Sequence, residues 1–553
     1  MRKMEDALEN YNIASGLVDM ARRAPYRPGI VFPAGRDRNG RSKNLQWSFD
    51  QLNELCDRYA HGLSDYGVEK GERALMMVRP SIDLIAVAFA LIKIGAAPVL
   101  IDPGMGRKAF LQCVSEAEPT TMIGIPLAHI IRRVFPKPFR TIKRAVTAGD
   151  RKFGADTLLK NIRSDRRDSF PIAPTTTEDE AAIAFTSGGT GIPKGVVYLH
   201  GIFRAQIRVM QQDMNVAPGE VHLSAVYIFA LFNPALGVTT VIPDMNPRKT
   251  AQVNPAYLVE AIQTHGVTMS LGSPIIWKRV NEYCRSEKIR LPSLKHIFMF
   301  GAAVSPNLVR EFSDIVENGK IYTPYGATEA LPLTLIDERE IIEETQSLTE
   351  QGAGVCVGRP IGGLSARIIQ ISDESISEWN ESLSLPPNEI GEIVVRGDVV
   401  TRAYLNRPKQ TKLSKIKDNR GGIWHRMGDI GYLDDQGRLW ICGRKSHRVE
   451  TSQGMLLPIP CEAIFNQHPA VARTALVGVG EYGRQRPILI VELKRKEGAT
   501  RKQVTKELLE IGEKYEHTQQ IKTLLFHNSF PVDVRHNTKI LRENLAIWAS
   551  KKI

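Results

Sequence analysis

The chain has 553 residues, of which 42% are hydrophobic and 24% are charged, and its formal net charge is +13. This length is too great for a single hydrophobic core and indicates two or more domains of ordinary globular composition. The positive charge suits an anionic partner such as a nucleotide. No zinc spacing, RNA-binding aromatic signature or helix-turn-helix pattern accompanies it, so nucleic acid is not a predicted partner.

The cysteines and the N-terminus favour a cytoplasmic protein. None of the six cysteines forms a CxxC pair, which indicates a reducing compartment without a disulfide framework or a structural metal. The first residues are charged and lack the apolar centre of a signal peptide. The most apolar stretch, 82–101, contains Asp83, Lys93 and Pro98, so it predicts a buried helix and a short strand rather than a membrane span.

The N-terminal part alternates helical and strand-like patterns, which is typical of parallel sheets covered by helices. The patterns predict helices over 49–63, 82–94 and 127–134 and strands over 73–78, 97–101 and 122–125. Basic residues become frequent between Arg132 and Arg167. A solvated face is one interpretation of this charge run, and a surface for a membrane or a partner is the other.

A glycine-rich loop, FTSGGTGIPKGVV, runs from Phe185 to Val197 between two predicted strands, 181–185 and 196–198. Such a loop brings backbone N–H groups close to a polyanion, and Lys194 adds a positive charge for phosphate oxygens. The loop residues that predict phosphate binding, besides the lysine, are Thr186, Ser187, Gly188, Gly189, Thr190 and Gly191.

The loop differs from the kinase-type phosphate loop. That motif needs Gly-Lys-Ser/Thr at the start of a helix, whereas Lys194 lies between Pro193 and Gly195. A P-loop ATPase is therefore disfavoured, and a plain flexible turn is the other interpretation of the glycines.

The next apolar run, from Leu223 to Gly237, is rich in aromatic and small side chains. Ordinary core is one interpretation. The other is that Phe229, Ala230 and Phe232 form an apolar wall suited to a hydrocarbon tail.

Two further strings carry residues suited to a nucleotide. In IFMFGAAVS, 297–305, the small residues Gly301, Ala302 and Ala303 leave room for a flat ring to lie on backbone, although a tight turn would look the same. In YTPYGATEA, 322–330, the candidates are Tyr325 for stacking on adenine beside Gly326, Thr328 for a phosphate and Glu329 for Mg²⁺, which prefers hard oxygen ligands.

The string MGDIGYLDDQGRLWICGRKSHRVE, 427–450, supplies the remaining candidates. The Asp429 carboxylate offers two acceptors to the ribose hydroxyls, and Arg444 is expected at ribose or phosphate oxygens. Turn residues and charge at 443–446 predict a linker. Short strands before it, from 361 onward, predict a small β subdomain, and an α+β unit is predicted after it.

In order and spacing these motifs resemble those of the adenylate-forming enzymes, the superfamily of acyl-CoA ligases, peptide-synthetase adenylation domains and luciferases. The resemblance implies an α/β fold with a large N-terminal domain over 1–442, built from parallel-sheet αβ subdomains and the small β subdomain. It implies a hinge over 443–446 and a small mobile α+β lid domain over 447–553. Lys539, near the C-terminus, aligns with the family's catalytic lysine, so catalysis is expected from Lys539, Glu329 and Thr186, with ATP and Mg²⁺ as cofactors.

Several strings, among them HRMGDIGYLDDQGRLW and DVRHNTKI, resemble the branch that makes β-lactones for long-chain olefin biosynthesis in bacteria. That resemblance implies a long-chain 2-alkyl-3-hydroxy acid as substrate and an assembly with other enzymes of the same route. The region after the hinge diverges from CoA ligases. His447 is a candidate base for the 3-hydroxyl, with a structural histidine as the other interpretation. The alternative functions are a fatty acyl-CoA or acyl-AMP ligase and, from another class, a basic binding module without catalysis.

Overall fold

Two seven-stranded sheets covered by helices form the larger part of the molecule. The computed structural model describes residues 11–186, 193–247, 249–494, 500–532 and 540–553. The strands are β1 (Pro28–Arg36), β2 (Ser42–Ser48), β3 (Arg73–Met77), β4 (Ala97–Leu100), β5 (Thr121–Gly124), β6 (Arg144–Thr147), β7 (Thr157–Leu158), β8 (Glu180–Thr186), β9 (Lys194–Leu199), β10 (Val221–Ser224), β11 (Thr239–Val241), β12 (Met269–Gly272), β13 (His296–Met299), β14 (Lys320–Tyr322), β15 (Tyr325–Ala327), β16 (Ala330–Leu335), β17 (Val355–Cys356), β18 (Arg359–Pro360), β19 (Ser365–Ile369), β20 (Gly391–Arg396), β21 (Lys415–Lys417), β22 (Ile423–Leu433), β23 (Leu439–Arg444), β24 (Val449–Thr451), β25 (Gly454–Leu456), β26 (Val471–Val479), β27 (Arg486–Leu493) and β28 (Thr523–Phe526).

Along the chain, most of the helices connect successive strands of the two large sheets. They are α1 (Ser15–Arg23), α2 (Phe49–Asp65), α3 (Ile82–Ile94), α4 (Arg107–Ala117), α5 (Pro126–Val134), α6 (Leu159–Ile162), α7 (His200–Gln212), α8 (Asn233–Leu236), α9 (Pro255–His265), α10 (Pro274–Glu287), α11 (Pro306–Val316), α12 (Gln346–Glu350), α13 (Pro408–Ser414), α14 (Pro458–Phe465), α15 (Arg501–Gly512) and α16 (Arg542–Ser550). This alternation confirms the predicted α/β class.

The first large sheet has the strand order β7-β6-β5-β3-β4-β8-β9, and all neighbours are parallel except β8 and β9. The second has the order β14-β13-β12-β10-β11-β1-β2 and an antiparallel partner only at β2. Because β8 runs parallel to β4, the loop after β8 emerges at the carboxyl edge of the first sheet, where ligands bind in open α/β sheets.

Helix α3 shows why the apolar stretch near residue 90 is core. Ser81 caps its N-terminus by accepting from the Leu84 N–H, and Gly95 ends it with φ +83°. Lys93, inside the helix, is fully buried and donates to Asp57 Oδ1 at 2.5 Å and to Asn53 Oδ1 at 2.7 Å. Of the helices in the described ranges, none has both the length and the apolar character needed to cross a bilayer.

A smaller antiparallel sheet follows, with the order β17-β23-β22-β20-β19 and β21 paired to β22. Strand β23 continues to Arg444, so the first two residues of the predicted 443–446 linker pair within this sheet. A short turn over Lys445–His447 then leads to the C-terminal unit, a hairpin of β24 and β25 and a sheet of β26, β27 and β28 with helices α14, α15 and α16. All six cysteines lie in the described ranges, and each is buried and free of a disulfide.

We expect Glu392→Gln to destabilise the small sheet. The Glu392 side chain is buried and accepts from Arg426 Nη2 at 2.5 Å and from Lys445 Nζ at 3.2 Å, and Arg426 is itself buried. Removing the negative charge leaves a buried guanidinium without its counter-charge and should cost about 1.5–3 kcal/mol. Urea unfolding followed by the fluorescence of the stacked Trp379 and Trp424 would measure it.

Glu389→Gln is the matched control for that experiment, because Glu389 lies three residues before Glu392 in the chain and is exposed. Equal urea midpoints for the two variants would contradict the expectation.

Candidate active site

The site is built where β8, β9 and the segment over 322–330 meet the small sheet. Thr186 is the last residue of β8 and pairs with Lys194, the first described residue of β9. Residues Ser187, Gly188, Gly189, Thr190 and Gly191, predicted to bind phosphate, lie outside the described residues, as does Lys539.

Lys194 is held in an enclosed position beside Tyr404. Its Nζ lies 4.7 Å from the centre of the Tyr404 ring, a cation–π contact. Burial lowers the pKa of the Lys194 amine, and the negative charge of Glu329 opposes that shift. Gly195 packs between Phe185 and Leu405, where a Cβ would come within 2.9 Å of the Phe185 ring, and its carbonyl accepts from the Leu405 N–H at 2.8 Å. The lysine is therefore fixed on packed backbone.

Glu329 is anchored at both its side chain and its backbone. Its Oε1 accepts from the Tyr404 hydroxyl at 2.7 Å. Its carbonyl oxygen accepts from the Thr401 N–H at 2.9 Å and from the Thr401 hydroxyl at 3.1 Å. Burial and the Glu329 charge raise the pKa of Tyr404, so its hydroxyl keeps the donated proton at neutral pH. A carboxylate held in this way is suited to a positively charged ligand.

Lys415 stabilises the position of Thr401 and, through Thr401, that of Glu329. Its side chain is buried, and its Nζ donates to the Thr401 carbonyl and, at 3.3 Å, to Thr401 Oγ1. Burial lowers the pKa of Lys415 to about 7, while the charge of Glu329 acts in the opposite direction. Lys415 thus connects strand β21 to the backbone contact that positions Glu329.

A second cluster joins Asp429, Tyr325 and Arg444. The buried Asp429 accepts from the Tyr325 hydroxyl at 2.5 Å through Oδ2 and from Arg444 Nη1 at 3.1 Å through Oδ1. Asp429 and Arg444 are register partners on β22 and β23. Burial and the negative charge of Asp429 raise the pKa of Tyr325, whereas Asp429 above all raises the pKa of Arg444. Residues predicted separately from two strings thus meet directly.

One hydrogen bond and one close backbone contact fix the 322–330 segment, which carries residues of both clusters. The Tyr198 hydroxyl on β9 donates to the Thr328 carbonyl at 2.7 Å, which fixes the 322–330 segment against the strand that carries Lys194. Gly326 lies in the middle of β15, where a Cβ would come within 2.7 Å of the Ala330 carbonyl. Only glycine fits there without a shift of backbone.

The small-residue segment lies next to the aromatic run. Gly301 has φ +88° and is exposed, as is Ala303, while Ala302 is half-buried. The preceding Phe300 makes an edge-to-face contact with Phe229, with ring centres 5.6 Å apart. A ring lying on the Gly301 backbone would therefore be next to the predicted acyl wall.

The predicted wall is buried in a row of aromatic side chains. Phe229 and Phe232 have ring centres 5.9 Å apart, and Phe203 continues the row at 5.1 Å from Phe232. Ala230 is 2% exposed, so it belongs to the same packed layer. The row supports either interpretation, core or wall, because core rings also form pocket walls.

Sequence reasoning missed Tyr198, Thr401, Tyr404 and Lys415. Each donates a hydrogen bond to a residue at least 14 positions away, and for Tyr198, Thr401 and Tyr404 the separation is more than 70 positions. No local string signals such a contact. Within the described part of the chain, no three His, Cys, Asp or Glu side chains group into a metal-binding cluster.

Comparison with known proteins agrees with this geometry. A family model described as AMP-binding enzyme matches residues 19–405. The chain is 43% identical over 550 residues to an olefin beta-lactone synthetase of Xanthomonas campestris pv. campestris, which covers 98% of both chains. It is 42% identical over 551 residues to a protein of the same name from Stenotrophomonas maltophilia, again with 98% of both covered.

More distant proteins share the fold. ATP-bound MatB from Rhodopseudomonas palustris superposes with a TM-score of 0.76 at 18% identity, covering 98% of this chain and all of that one. O-succinylbenzoate coenzyme A synthetase from Bacillus subtilis, in complex with AMP, gives 0.74 at 19% identity and covers 96% and 97%. These likenesses confirm the predicted architecture of a large α/β unit followed by a small C-terminal unit.

Proposed function

We propose, because this chain belongs to the AMP-binding enzyme family, that it activates a long-chain 2-alkyl-3-hydroxy acid with ATP and closes it to a β-lactone, releasing AMP and pyrophosphate. The full-length similarity to two relatives named olefin beta-lactone synthetases is the single observation that supports this reaction most strongly. The site supports its first half, since positive groups and a fixed carboxylate surround the place expected for phosphates.

The activation step needs charge stabilisation above all. A substrate carboxylate oxygen attacks the α-phosphorus of ATP, a P–O bond forms, and the bond to pyrophosphate breaks. Negative charge grows on the transferring oxygens, where preorganised donors act most effectively. We assign Lys194 to the stabilisation of this charge. From the family resemblance we assign Lys539 and the loop donors from Thr186 to Gly191 to the same role.

Mg²⁺ fits the residue expected to hold it. Glu329 offers a hard carboxylate that is only half-buried, and Mg²⁺ typically takes one or two carboxylates together with phosphates and water. When bound, the ion would neutralise phosphate charge. Tyr404 and Thr401 keep the carboxylate in one orientation, so the chain contributes positioning whether or not the ion is present.

Asp429, Tyr325 and Arg444 form the expected ribose and adenine end of the site. Two carboxylate oxygens can accept from both ribose hydroxyls, and the Tyr325 and Arg444 contacts fix the plane of the carboxylate. The backbone at Gly301, Ala302 and Ala303 and the ring of Tyr325 are assigned to adenine.

The second step uses a nucleophile already present in the substrate. The 3-hydroxyl oxygen attacks the adenylate carbonyl, a C–O bond closes the four-membered ring, and AMP leaves while the hydroxyl proton passes to a base. Because both groups belong to one molecule, the effective concentration is high and no thiol is required. We assign the alkyl chains to the layer of Phe229, Ala230 and Phe232.

His447 is the proposed acceptor of that proton. Its Nε2 lies 3.3 Å from Glu543 Oε1, and burial lowers its pKa to about 4. The ring is therefore neutral at pH 7, and when Nε2–H donates to Glu543 the free electron pair lies on Nδ1.

We expect Tyr404→Phe to weaken activation moderately. The change removes the hydroxyl that orients Glu329 but keeps the ring beneath Lys194. A hydrogen bond to a charged group contributes about 1.5–3 kcal/mol, so kcat/KM for acid-dependent ATP–pyrophosphate exchange should fall by about 10- to 100-fold. Tyr26→Phe, at a residue that is 90% exposed, is the control. Equal rates for the two variants would mean that Tyr404 does not position the carboxylate.

A CoA ligase is the second candidate, supported by more distant relatives such as a 2-succinylbenzoate–CoA ligase of Bacillus mycoides, 24% identical over 78% of this chain. The two candidate functions predict different release of AMP in buffer without CoA. A 3-hydroxy acid should turn over continuously and release AMP, whereas the matching acid without the hydroxyl should stop at a bound adenylate. Strict dependence of AMP release on CoA would favour the ligase instead.

The remaining parts of the proposal concern the surroundings. A cytoplasmic location is supported by six free buried cysteines. Assembly with other enzymes of olefin biosynthesis is proposed from the family resemblance alone and can be tested by co-purification.

A further inference from the structure

Helix α5 presents an apolar face to solvent. Leu127, Ile130 and Val134 follow the spacing of one helical face and are 57%, 44% and 62% exposed. The opposite face packs against the rest of the protein, because Ala128 is buried and His129 Nε2 lies within hydrogen-bond distance of the Gly124 and Val146 carbonyls. The helix therefore cannot rotate to hide these three side chains without breaking its packing.

The loop over 149–154 extends this face. Its start lies beside Pro126, and at its end the Gly154 carbonyl accepts from Arg132 Nη2 at 2.8 Å. Phe153 in this loop has φ +44°, a conformation that is uncommon for aromatic residues, and its side chain is 45% exposed. Leu127, Ile130 and Val134 on the helix and Phe153 in the adjoining loop are exposed large apolar side chains, and we call these four residues the α5 patch.

The segment that carries the patch is rich in positive charge. The segment 126–154 contains eight basic residues and one acidic residue, Asp150. Of these basic residues, Arg133, Lys137, Arg140, Arg151 and Lys152 are exposed. Much of the charge run noted in the sequence thus lies in the segment that carries the patch.

An anionic bilayer matches both features at once. Apolar side chains enter the boundary between headgroups and acyl chains, while nearby lysine and arginine side chains are attracted to anionic lipid. Nucleic acid would use the charges but would leave the four apolar side chains without a role.

The position of the patch connects it to the proposed reaction. Helix α5 starts at the carboxyl end of β5, and the phosphate loop starts at the carboxyl end of β8. The strand order β5-β3-β4-β8 places these ends on the same sheet edge, about 15 Å apart at the usual strand spacing.

We propose that the α5 patch docks the enzyme on the surface of an anionic phospholipid bilayer. Its use in drawing a long-chain acid from that bilayer rests on the proposed function, whereas the docking itself does not.

Sedimentation with vesicles tests the docking on the full-length protein without any substrate. Vesicles of phosphatidylcholine with phosphatidylglycerol should bind the protein, and pure phosphatidylcholine should bind it at least tenfold more weakly. Leu127→Ser/Ile130→Ser/Val134→Ser and, separately, Arg133→Glu/Arg151→Glu/Lys152→Glu should each reduce binding to the anionic vesicles by at least tenfold.

Leu45→Ser/Leu348→Ser/Ile547→Ser is the matched control, because these residues are 53%, 41% and 59% exposed outside the patch. It should bind within twofold of the unchanged protein. ATP–pyrophosphate exchange with a short, water-soluble acid reports on the proposed function separately and should be unchanged in all of these variants.

Equal binding by the patch variants and the control would overturn the proposal, as would failure of the unchanged protein to bind anionic vesicles. Loss of a co-purifying protein by the patch variants, without any vesicle binding, would assign the surface to a protein partner and would also overturn it.

Discussion

Glu329→Gln should lower acid-dependent ATP–pyrophosphate exchange by about 10²–10³-fold, because it removes the carboxylate charge proposed to hold Mg²⁺, the ion that would neutralise the phosphates. Glutamine has nearly the same shape and can still accept from the Tyr404 hydroxyl, so the packing around the 322–330 segment should survive. The loss should therefore appear in kcat more than in folding. Raising the Mg²⁺ concentration should recover part of it if the side chain serves as a metal ligand.

The control for this variant is Glu343→Gln, at an exposed glutamate paired with Arg339 on the surface. Its exchange rate should match that of the unchanged enzyme. A Glu329→Gln enzyme within threefold of this control would remove Glu329 from the mechanism, and a lowered thermal midpoint would point to a folding role.

Asp429→Ala should reduce kcat/KM for ATP by about 30- to 5,000-fold. The change removes the acceptors assigned to the ribose and leaves Arg444 beside the Tyr325 hydroxyl without its counter-charge. Truncating one partner of a buried hydrogen-bonded charge pair costs about 2–5 kcal/mol. The effect should be larger for ATP than for the acid, because we assign the acid to the layer of Phe229, Ala230 and Phe232 instead.

Two further variants separate ribose binding from local packing. Asp435→Asn changes an exposed acid on the same hairpin and should be silent. Asp429→Asn keeps the shape and one acceptor, so it should lie between Asp429→Ala and the unchanged enzyme. Equal affinity for ATP and for a ribose-free triphosphate in the unchanged enzyme would contradict the assignment.

The sequence was sufficient for the elements whose start and stop signals are local. The helix predicted over 82–94 has the same bounds in the structure, because Ser81 and Gly95 are local start and stop signals. The strands around the phosphate loop were predicted for the same reason, since apolar runs and glycines are local features. Membership of the fold followed from motif order and is confirmed by the comparisons.

The contacts that join the site could not be read from the sequence. Tyr404 and Glu329 are 75 positions apart, and nothing near Tyr404 distinguishes it from a core tyrosine. Lys415 is buried under the same segment, a position that is unusual for lysine and that composition cannot predict. The meeting of Tyr325 with Asp429 depends on the packing of two sheets, so only the structure could supply it.

The α5 patch belongs to the same class of finding. The charge run was visible in the sequence, but its two interpretations, a solvated face and a binding surface, stayed open. The hydrophobic residues at 127, 130 and 134 did not decide between them, because the same spacing fits a helix that faces the core. The structure turns this face outward by burying His129 instead.

The central claim is that one site joins the acid to AMP and then lets the acid's own hydroxyl displace it. The most direct test is mass spectrometry of the products formed without CoA from ATP and a 2-alkyl-3-hydroxy acid whose carboxylate carries two ¹⁸O atoms. We predict AMP with one ¹⁸O and a β-lactone that keeps one ¹⁸O in its carbonyl. Unlabelled AMP, or no lactone until CoA is added, would contradict the claim.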